Sequence, residues 1–361
     1  MKYFSIVISS LIIFFSVLIP LQADTDENNS GTLTENNAVI NVYAAYDVFY
    51  WTIVPSIFQD IIYDNDPYKV KQIGIRTSAS FVSLGLEYSN TTLSFTDNPF
   101  SGNGNDNKNH FAEILKLFNE MRFGAFSLYF AASHQEYVTT ASSDQPDKMY
   151  YYTKNSGMVE LEQDDEFEWS TKYTKYEMRG EYNFSSGSVI FLGASYMMFD
   201  APTEVELSKV NSPETGRIIL FTENEIIDIH FGVVIKKQKG KHVYSLFSVS
   251  GSLLTFYYPE SSYFDINYKN PLSFDSFSIS GVYSVGYSLN FTGSNFRIET
   301  GIGADISFAS LSYKECEVKQ DMVTADIQGD PYTFYAGERV DLDFDRNEIF
   351  WEYYIKGSVF F

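Results

Sequence analysis

From Val39 to the end of the chain, apolar and polar residues alternate with period two, the pattern of a strand with two unlike faces. The clearest stretch is 274–313. Phe277, Ile279, Gly281, Tyr283, Val285, Tyr287, Leu289 and Phe291 share one face, and Ser276, Ser278, Ser280, Val282, Ser284, Gly286, Ser288 and Asn290 share the other. Thr292-Gly293-Ser294 then reads as a tight turn. Alternation resumes with Phe296, Ile298, Thr300, Ile302, Ala304, Ile306 and Phe308 against Arg297, Glu299, Gly301, Gly303 and Asp305. Each run is far longer than the usual strand of about five or six residues. The same pattern recurs at 172–184, 225–237 and 349–361.

Two kinds of connection separate these runs. Short ones lie at Ser78–Ser80, Asn119–Met121, Ser185–Gly187, Gln238–Lys241 and Thr292–Ser294. Long ones lie at 52–67, 96–106, 138–169, 202–223, 259–273 and 314–346, and the two kinds alternate. The spacing predicts twelve strands: 39–51, 68–77, 81–95, 107–118, 122–137, 170–184, 188–201, 224–237, 242–258, 274–291, 295–313 and 347–361. Ten to fourteen remain open, because 138–169 and 314–346 have room for another hairpin. His110–Met121 also carries Phe111, Ile114, Leu115, Phe118 and Met121 at helical spacing. It is read as a strand because an up-and-down count needs one there.

The N-terminus differs. Lys2 precedes an apolar stretch over residues 3–19, and Pro20 with Leu21-Gln22-Ala23 leads to a small-residue cleavage point, the features of a signal peptide over 1–23. Residues 24–38 are a polar tail without periodicity. After residue 23 no apolar run reaches the ~18 residues that a spanning helix needs. A mature chain that crosses a membrane therefore does so as a closed barrel, since only helices and closed barrels satisfy every backbone group in lipid. An even number of long strands, with short turns at one end and long loops at the other, is the arrangement of an outer-membrane barrel. The expected fold is all-β: a transmembrane antiparallel up-and-down barrel over 39–361, with long external loops 138–169, 202–223 and 314–346. A soluble β-sandwich is the competing fold. Strand length, aromatics near the ends of the strands (Phe184, Phe291, Phe296 and Phe361 by the short turns; Tyr257, Phe308 and Trp351 towards the other rim) and full charges on the polar faces favour the barrel.

The last strand adds a resemblance. Phe361, Val359, Ile355 and Tyr353 alternate up to an aromatic C-terminus, which resembles the end of bacterial outer-membrane β-barrel proteins of the porin-like kind. In that family a glycine sits five residues before the terminal aromatic, where this chain has Lys356; its own Gly357 is one place late. The resemblance implies an outer-membrane location, recognition of the last strand by the barrel-assembly machinery, and contact with outer-membrane lipid. It names no subfamily.

Composition sharpens the picture. The net charge is −22 while 44% of residues are apolar and 17% aromatic, so low hydrophobicity and disorder are excluded. A charge of this sign disfavours nucleic acid, whose phosphates need Lys and Arg. The single cysteine, Cys316, permits no internal disulfide and no zinc site built on cysteine clusters. Twelve strands tilted near ~40° give a backbone radius of roughly 12 Å. The expected inward set is Asn41, Asp47, Arg76, Lys175, Glu177, Arg179, Glu181, Asp228, His230, Arg297, Glu299, Asp305, Glu352 and Lys356. Both signs occur, so these groups either pair and fill the lumen or line a polar path. Adjacent strands bring Glu299 close to Lys356.

The external loops are acidic. Loop 138–169 has eight acids against two bases and loop 314–346 nine against four. They read as a solvated rim, with weak divalent-cation binding as the alternative. A cation-favouring potential at the mouth follows from the charge. No enzyme is expected: Ser133 and His134 are adjacent on a strand and point to opposite faces, and there is no HExxH and no glycine-rich phosphate loop. No cofactor or metal is expected. The leading function is a narrow porin-like channel for small polar, cation-favouring solutes. The alternatives are a surface adhesin whose Tyr-rich acidic loops bind a host or matrix partner, and an apolar-solute transporter, which inward Tyr43, Phe49 and Trp51 permit.

Overall fold

Alternation this long demands a partner strand on both edges, because each residue carries a backbone donor and acceptor that lipid cannot satisfy. A computed structural model shows how they are met. It describes residues 39–54, 61–63, 68–79, 81–91, 111–143, 149–153, 157–162, 165–239, 242–266, 271–291, 294–325 and 330–361. Twelve long strands lie among them: β1 (Val39–Val54), β2 (Tyr68–Ala79), β3 (Val82–Asn90), β4 (Phe111–Phe123), β5 (Phe126–Ser143), β6 (Glu166–Asn183), β7 (Val189–Lys209), β8 (Thr215–Lys239), β9 (Val243–Glu260), β10 (Pro271–Phe291), β11 (Ser294–Val318) and β12 (Arg339–Phe360). Each pairs antiparallel with the next, and β12 pairs back to β1 from Asn41↔Phe360 to Val54↔Asn347, which closes the barrel. Following the registers once around displaces the start by about 14 residues, which gives strands tilted about 40° and a backbone radius of about 11 Å. Among the described residues there is no helix long and apolar enough to cross a membrane.

The segment with helical spacing is strand β4. Its periodicity misleads because both faces are apolar there. Leu115 and Leu117 are exposed on the outside while Ile114 lines the interior. The next turn lies at Gly124–Ala125, with Gly124 at φ 64°, rather than at Asn119–Met121. The outer face of the barrel is predominantly apolar. Leu84, Leu117, Leu192, Phe231, Ile302 and Tyr353 are all at least 45% exposed on different strands. A belt this continuous far exceeds the patches that soluble proteins expose, and it fits a barrel seated in lipid. Exposed Phe126, Phe184 and Phe361 mark the short-turn end, and Phe256, Tyr258, Phe308 and Trp351 the other.

Inside, glycines make room for aromatic rings. Tyr43 faces Gly74, Phe118 faces Gly85, Phe191 faces Gly232, Tyr244 faces Gly286 and Tyr354 faces Gly301, each pair in direct register on neighbouring strands. A Cβ on any of these five glycines would overlap the ring. The ring lies flat over the bare backbone of its neighbour, so a narrow barrel accommodates large side chains on its concave face.

The expectation fails for the external loops. Residues 202–223 and much of 138–169 and 314–346 are strand, not loop. β7 runs on to Lys209 and β8 starts at Thr215, so only 210–214 turn. After Asp200↔Lys172, β7 leaves β6 and pairs instead with β12, from Val205↔Phe344 to Lys209↔Val340. The seventh and twelfth strands thus meet above the lipid level. The edge of β8 is covered by Met149–Thr153, running parallel to it, and by Met322–Ala325. The edge of β11 takes Phe264–Asp265. Together these strands close a dome with a dry core of Val205, Leu207, Leu220, Val318, Met322 and Leu342, with Phe334 and Phe344 beside them. The lone Cys316 is buried in it. A bulge at Lys314-Glu315, with Glu315 at φ 55°, turns β11 into the dome; Asp341 accepts from Lys314 Nζ (2.6 Å) and from the Glu315 N–H (3.0 Å). The physical cause is period two beyond the lipid: Thr203, Val205 and Leu207 all face inward and need a dry partner.

Gly286→Val is expected to destabilise the folded barrel by about 1–3 kcal/mol through overpacking against Tyr244. A lowered urea midpoint of the heat-modifiable band measures it. Adding Tyr244→Ala, which empties the space above the glycine, should recover part of the loss.

Candidate functional site

The lumen divides into two levels. Towards the short turns, charges are paired. Arg76 donates to Glu120 (2.6 Å), which also accepts from Arg122 (2.7 Å). Arg179 lies between Glu177 (3.4 Å) and Glu181 (2.5 Å), with its guanidinium 4.0 Å from the centre of the Tyr129 ring. Glu299 accepts from the hydroxyls of Tyr244 (2.5 Å) and Tyr354 (2.9 Å). Arg297 stacks over Tyr244 and Phe360. Glu299 and Lys356 are direct cross-strand neighbours, but Lys356 Nζ sits 3.6 Å from the centre of the Tyr43 ring, and Tyr43 donates to Glu87 (2.5 Å). Aromatic hydroxyls and faces therefore share the work of charge compensation with direct ion pairs.

Above this level lies a chamber of about 450 Å³ reached by all twelve strands. Six carboxylates line it, from Asp47, Glu87, Glu177, Asp228, Asp305 and Glu352, against two lysines, Lys116 and Lys175. On the β8 wall, His230 Nδ1 is 3.1 Å from Asp228 and its Nε2 3.6 Å from Glu177; Thr255 donates to Asp228 (2.8 Å). The upper lining is apolar. Phe350 and Tyr137 belong to a small buried cluster with Tyr68 and Val70, and Tyr257 and Ala309 belong to the floor of the dome. The chamber is thus a charged room under a dry roof.

Of the fourteen residues expected to face inward, six line the chamber and seven take part in the pairings of the lumen. Asp47, Lys175, Glu177, Asp228, Asp305 and Glu352 border the chamber. Arg76, Arg179, Glu181, His230, Arg297, Glu299 and Lys356 make the pairings just described, and Asn41 has a buried side-chain oxygen. Sequence reasoning missed Glu87, Lys116 and Glu120. Lys116 and Glu120 lie in the stretch where helical spacing obscures the alternation, although Ile114, Lys116, Phe118 and Glu120 share one face at period two. At the last strand, Tyr353 and Phe361 are exposed and Ile355 and Val359 half-buried. His134 faces outward and meets Thr174 Oγ1 at 2.9 Å, while Ser133 lines the chamber. Among the described residues, no group of three or more His, Cys, Asp or Glu side chains is placed to hold a metal ion.

The closed barrel, its apolar belt and its long external extensions define a transmembrane barrel of the outer-membrane type. No protein-family model matches the chain and no curated protein is similar to it. Among solved structures it is similar to a Pseudomonas aeruginosa FadL homologue (9% identity, 90% of each chain, TM-score 0.31). It is similar also to the β domain of the Bordetella autotransporter BrkA (10% identity, 88% of this chain and 98% of that one, TM-score 0.34) and to the Ralstonia pickettii toluene transporter TbuX (9%, 87% and 88%, TM-score 0.31).

One buried tyrosine fastens the dome. The Tyr152 hydroxyl donates to the Val323 carbonyl (2.6 Å) and accepts from the Val323 N–H (2.7 Å). Burial pushes its phenol up to about 12. Because the neutral form is the one held, its contribution is full below about pH 10, the ordinary phenol value, and is lost as pH rises through about 12. Tyr152→Phe is expected to remove about 1–3 kcal/mol by leaving both Val323 groups unpaired. Limited proteolysis should then cut within the dome sooner than the wild type while the barrel remains intact.

Proposed function

We propose that the protein is a narrow outer-membrane channel for small polar solutes that favours cations. The observation that carries this reading is the chamber, whose wall sets six carboxylates against two lysines inside a barrel of about 11 Å radius. A water-filled space with low-dielectric walls focuses such charge and raises the local concentration of cations. The paired side chains beneath it occupy part of the lumen, and the dome core is apolar. Conductance per barrel is therefore expected to fall below that of an open bore of equal radius. The reading is non-catalytic. It assigns Tyr353, Ile355, Val359 and Phe361 to recognition by the barrel-assembly machinery, and the apolar belt to outer-membrane lipid.

A second reading rests on the dome. A dry-cored external layer is more structure than a solvated rim needs, and it exposes Met158, Val159 and Tyr335. Such a surface suits attachment to a host or matrix partner. Replacing these three by Ser should reduce attachment of expressing cells without altering heat modifiability; unchanged attachment removes the reading.

Planar-bilayer recording across a salt gradient tests the channel. The expected reversal potential has the sign of cation preference, and Asp305→Asn with Glu352→Gln should shift it towards zero. A folded, heat-modifiable barrel that never conducts would overturn the proposal.

A further inference from the structure

Most acids of the chamber already have partners. Glu177 faces Arg179 and His230, Asp228 accepts from Thr255 and meets His230, and Glu87 accepts from Tyr43. Asp47 and Glu352 do not. They sit on β1 and β12, next to each other across the closing seam, since Asp47 opposes Tyr354 and Glu352 opposes Phe49. Both line the chamber, and among the described residues neither side chain has a hydrogen bond or an ion pair. The nearby cations are shared rather than paired with them: Lys356 lies over the Tyr43 ring and acts on Glu87 and Glu299 as well as Asp47, and the charge of Lys116 is spread over Glu87, Glu177 and Glu352. A carboxylate partly withdrawn from water with no direct ion pair is unfavourable, and a bound ammonium would return what it has lost.

Two further groups point to the same space. Ser89 and Ser195 are 2% and 4% exposed, border the chamber, and have hydroxyls without a hydrogen-bond partner among the described residues. Hydroxyls that open onto a cavity can donate to or accept from a polar solute that enters it. Above them, Phe350, Tyr137, Phe199 and Tyr257 supply an aromatic surface. A cavity of about 450 Å³ with a few convergent polar groups and an apolar lining has the character of a small-molecule site.

We propose that this chamber binds a small amphipathic amine, its ammonium between Asp47 and Glu352 and its compact apolar or aromatic body beneath Phe350. The inference rests on the channel reading only in taking the chamber as accessible to solute. It narrows that reading from cations in general to amines that carry an apolar group.

Isothermal titration calorimetry on the mature barrel in detergent, at pH 7.5, tests it with 2-phenylethylamine, 2-phenylethanol and 3-phenylpropionate. The amine is expected to bind at least tenfold more tightly than the alcohol, and the carboxylate not at all. Asp47→Asn with Glu352→Gln, near-isosteric and checked by heat modifiability, should weaken the amine at least tenfold. Phe350→Ala should weaken 2-phenylethylamine but leave block of the current by methylammonium unchanged. Equal binding of amine and alcohol by the wild-type barrel overturns the proposal, and so does amine binding that survives the double substitution in a folded barrel. The two readings fail separately. Amine binding without conductance leaves this site standing and removes the channel; cation-selective current without amine binding does the reverse.

Discussion

In lipid no water is available to a backbone N–H or C=O, and every other feature of this protein follows from that constraint. Twelve strands meet it by pairing in chain order and closing β12 onto β1. Closure fixes the stagger at about 14 residues, the stagger fixes the tilt, and the tilt fixes a radius of about 11 Å. A lumen that narrow cannot hold a row of large side chains on every strand. The glycines opposite Tyr43, Phe118, Phe191, Tyr244 and Tyr354 are the local answer. Those same rings then hold charges: Tyr43 lies under Lys356, and Tyr244 and Tyr354 converge on Glu299. Packing and electrostatics at the narrow level are one arrangement.

Above the lipid the constraint relaxes, and the strands are free to choose partners by burial rather than by neighbourhood. β7 exchanges β6 for β12 once Asp200 is passed. Its inward residues Thr203, Val205 and Leu207 no longer face a lumen but a core completed by β8, β11, β12 and the short strands. That core is apolar, which also explains why Tyr152 binds both polar groups of Val323.

Much of this was legible in the sequence and some was not, for physical reasons. Period two survives wherever one face meets lipid and the other polar groups, so the twelve strands and the inward side of residues such as Glu299 and Lys356 can be read directly. Register follows from short turns, and it brings that pair opposite each other. Where both faces are apolar, as around Ile114 to Phe118, alternation fades and Lys116 is hidden with it. The dome could not be read because its defining contact joins residues 205–209 to 340–344, and no local pattern announces a pairing so distant in sequence. Its alternation was present in Thr203, Val205 and Leu207, but acidic residues between them gave it the look of a loop. The same masking applies to 339–344, where Asp341 and Asp343 separate Val340, Leu342 and Phe344.

Sequence also could not distinguish charges that fill the lumen from charges that shape a path, and the structure divides them by level. Near the short turns Glu120, Glu181 and Glu299 are bound by Arg or Tyr, so those groups hold the wall together. At the chamber, where the dome covers one side and a small aromatic cluster the other, Asp47 and Glu352 stand without a partner while Ser89 and Ser195 hold open hydroxyls. Compensation is direct where side chains overlap near the short turns, and it is incomplete at the chamber. An interior selected only for stability would pair these groups or replace them by apolar ones, since buried charge without a partner weakens a fold. Their persistence beneath an apolar roof is therefore best accounted for by a solute that completes them.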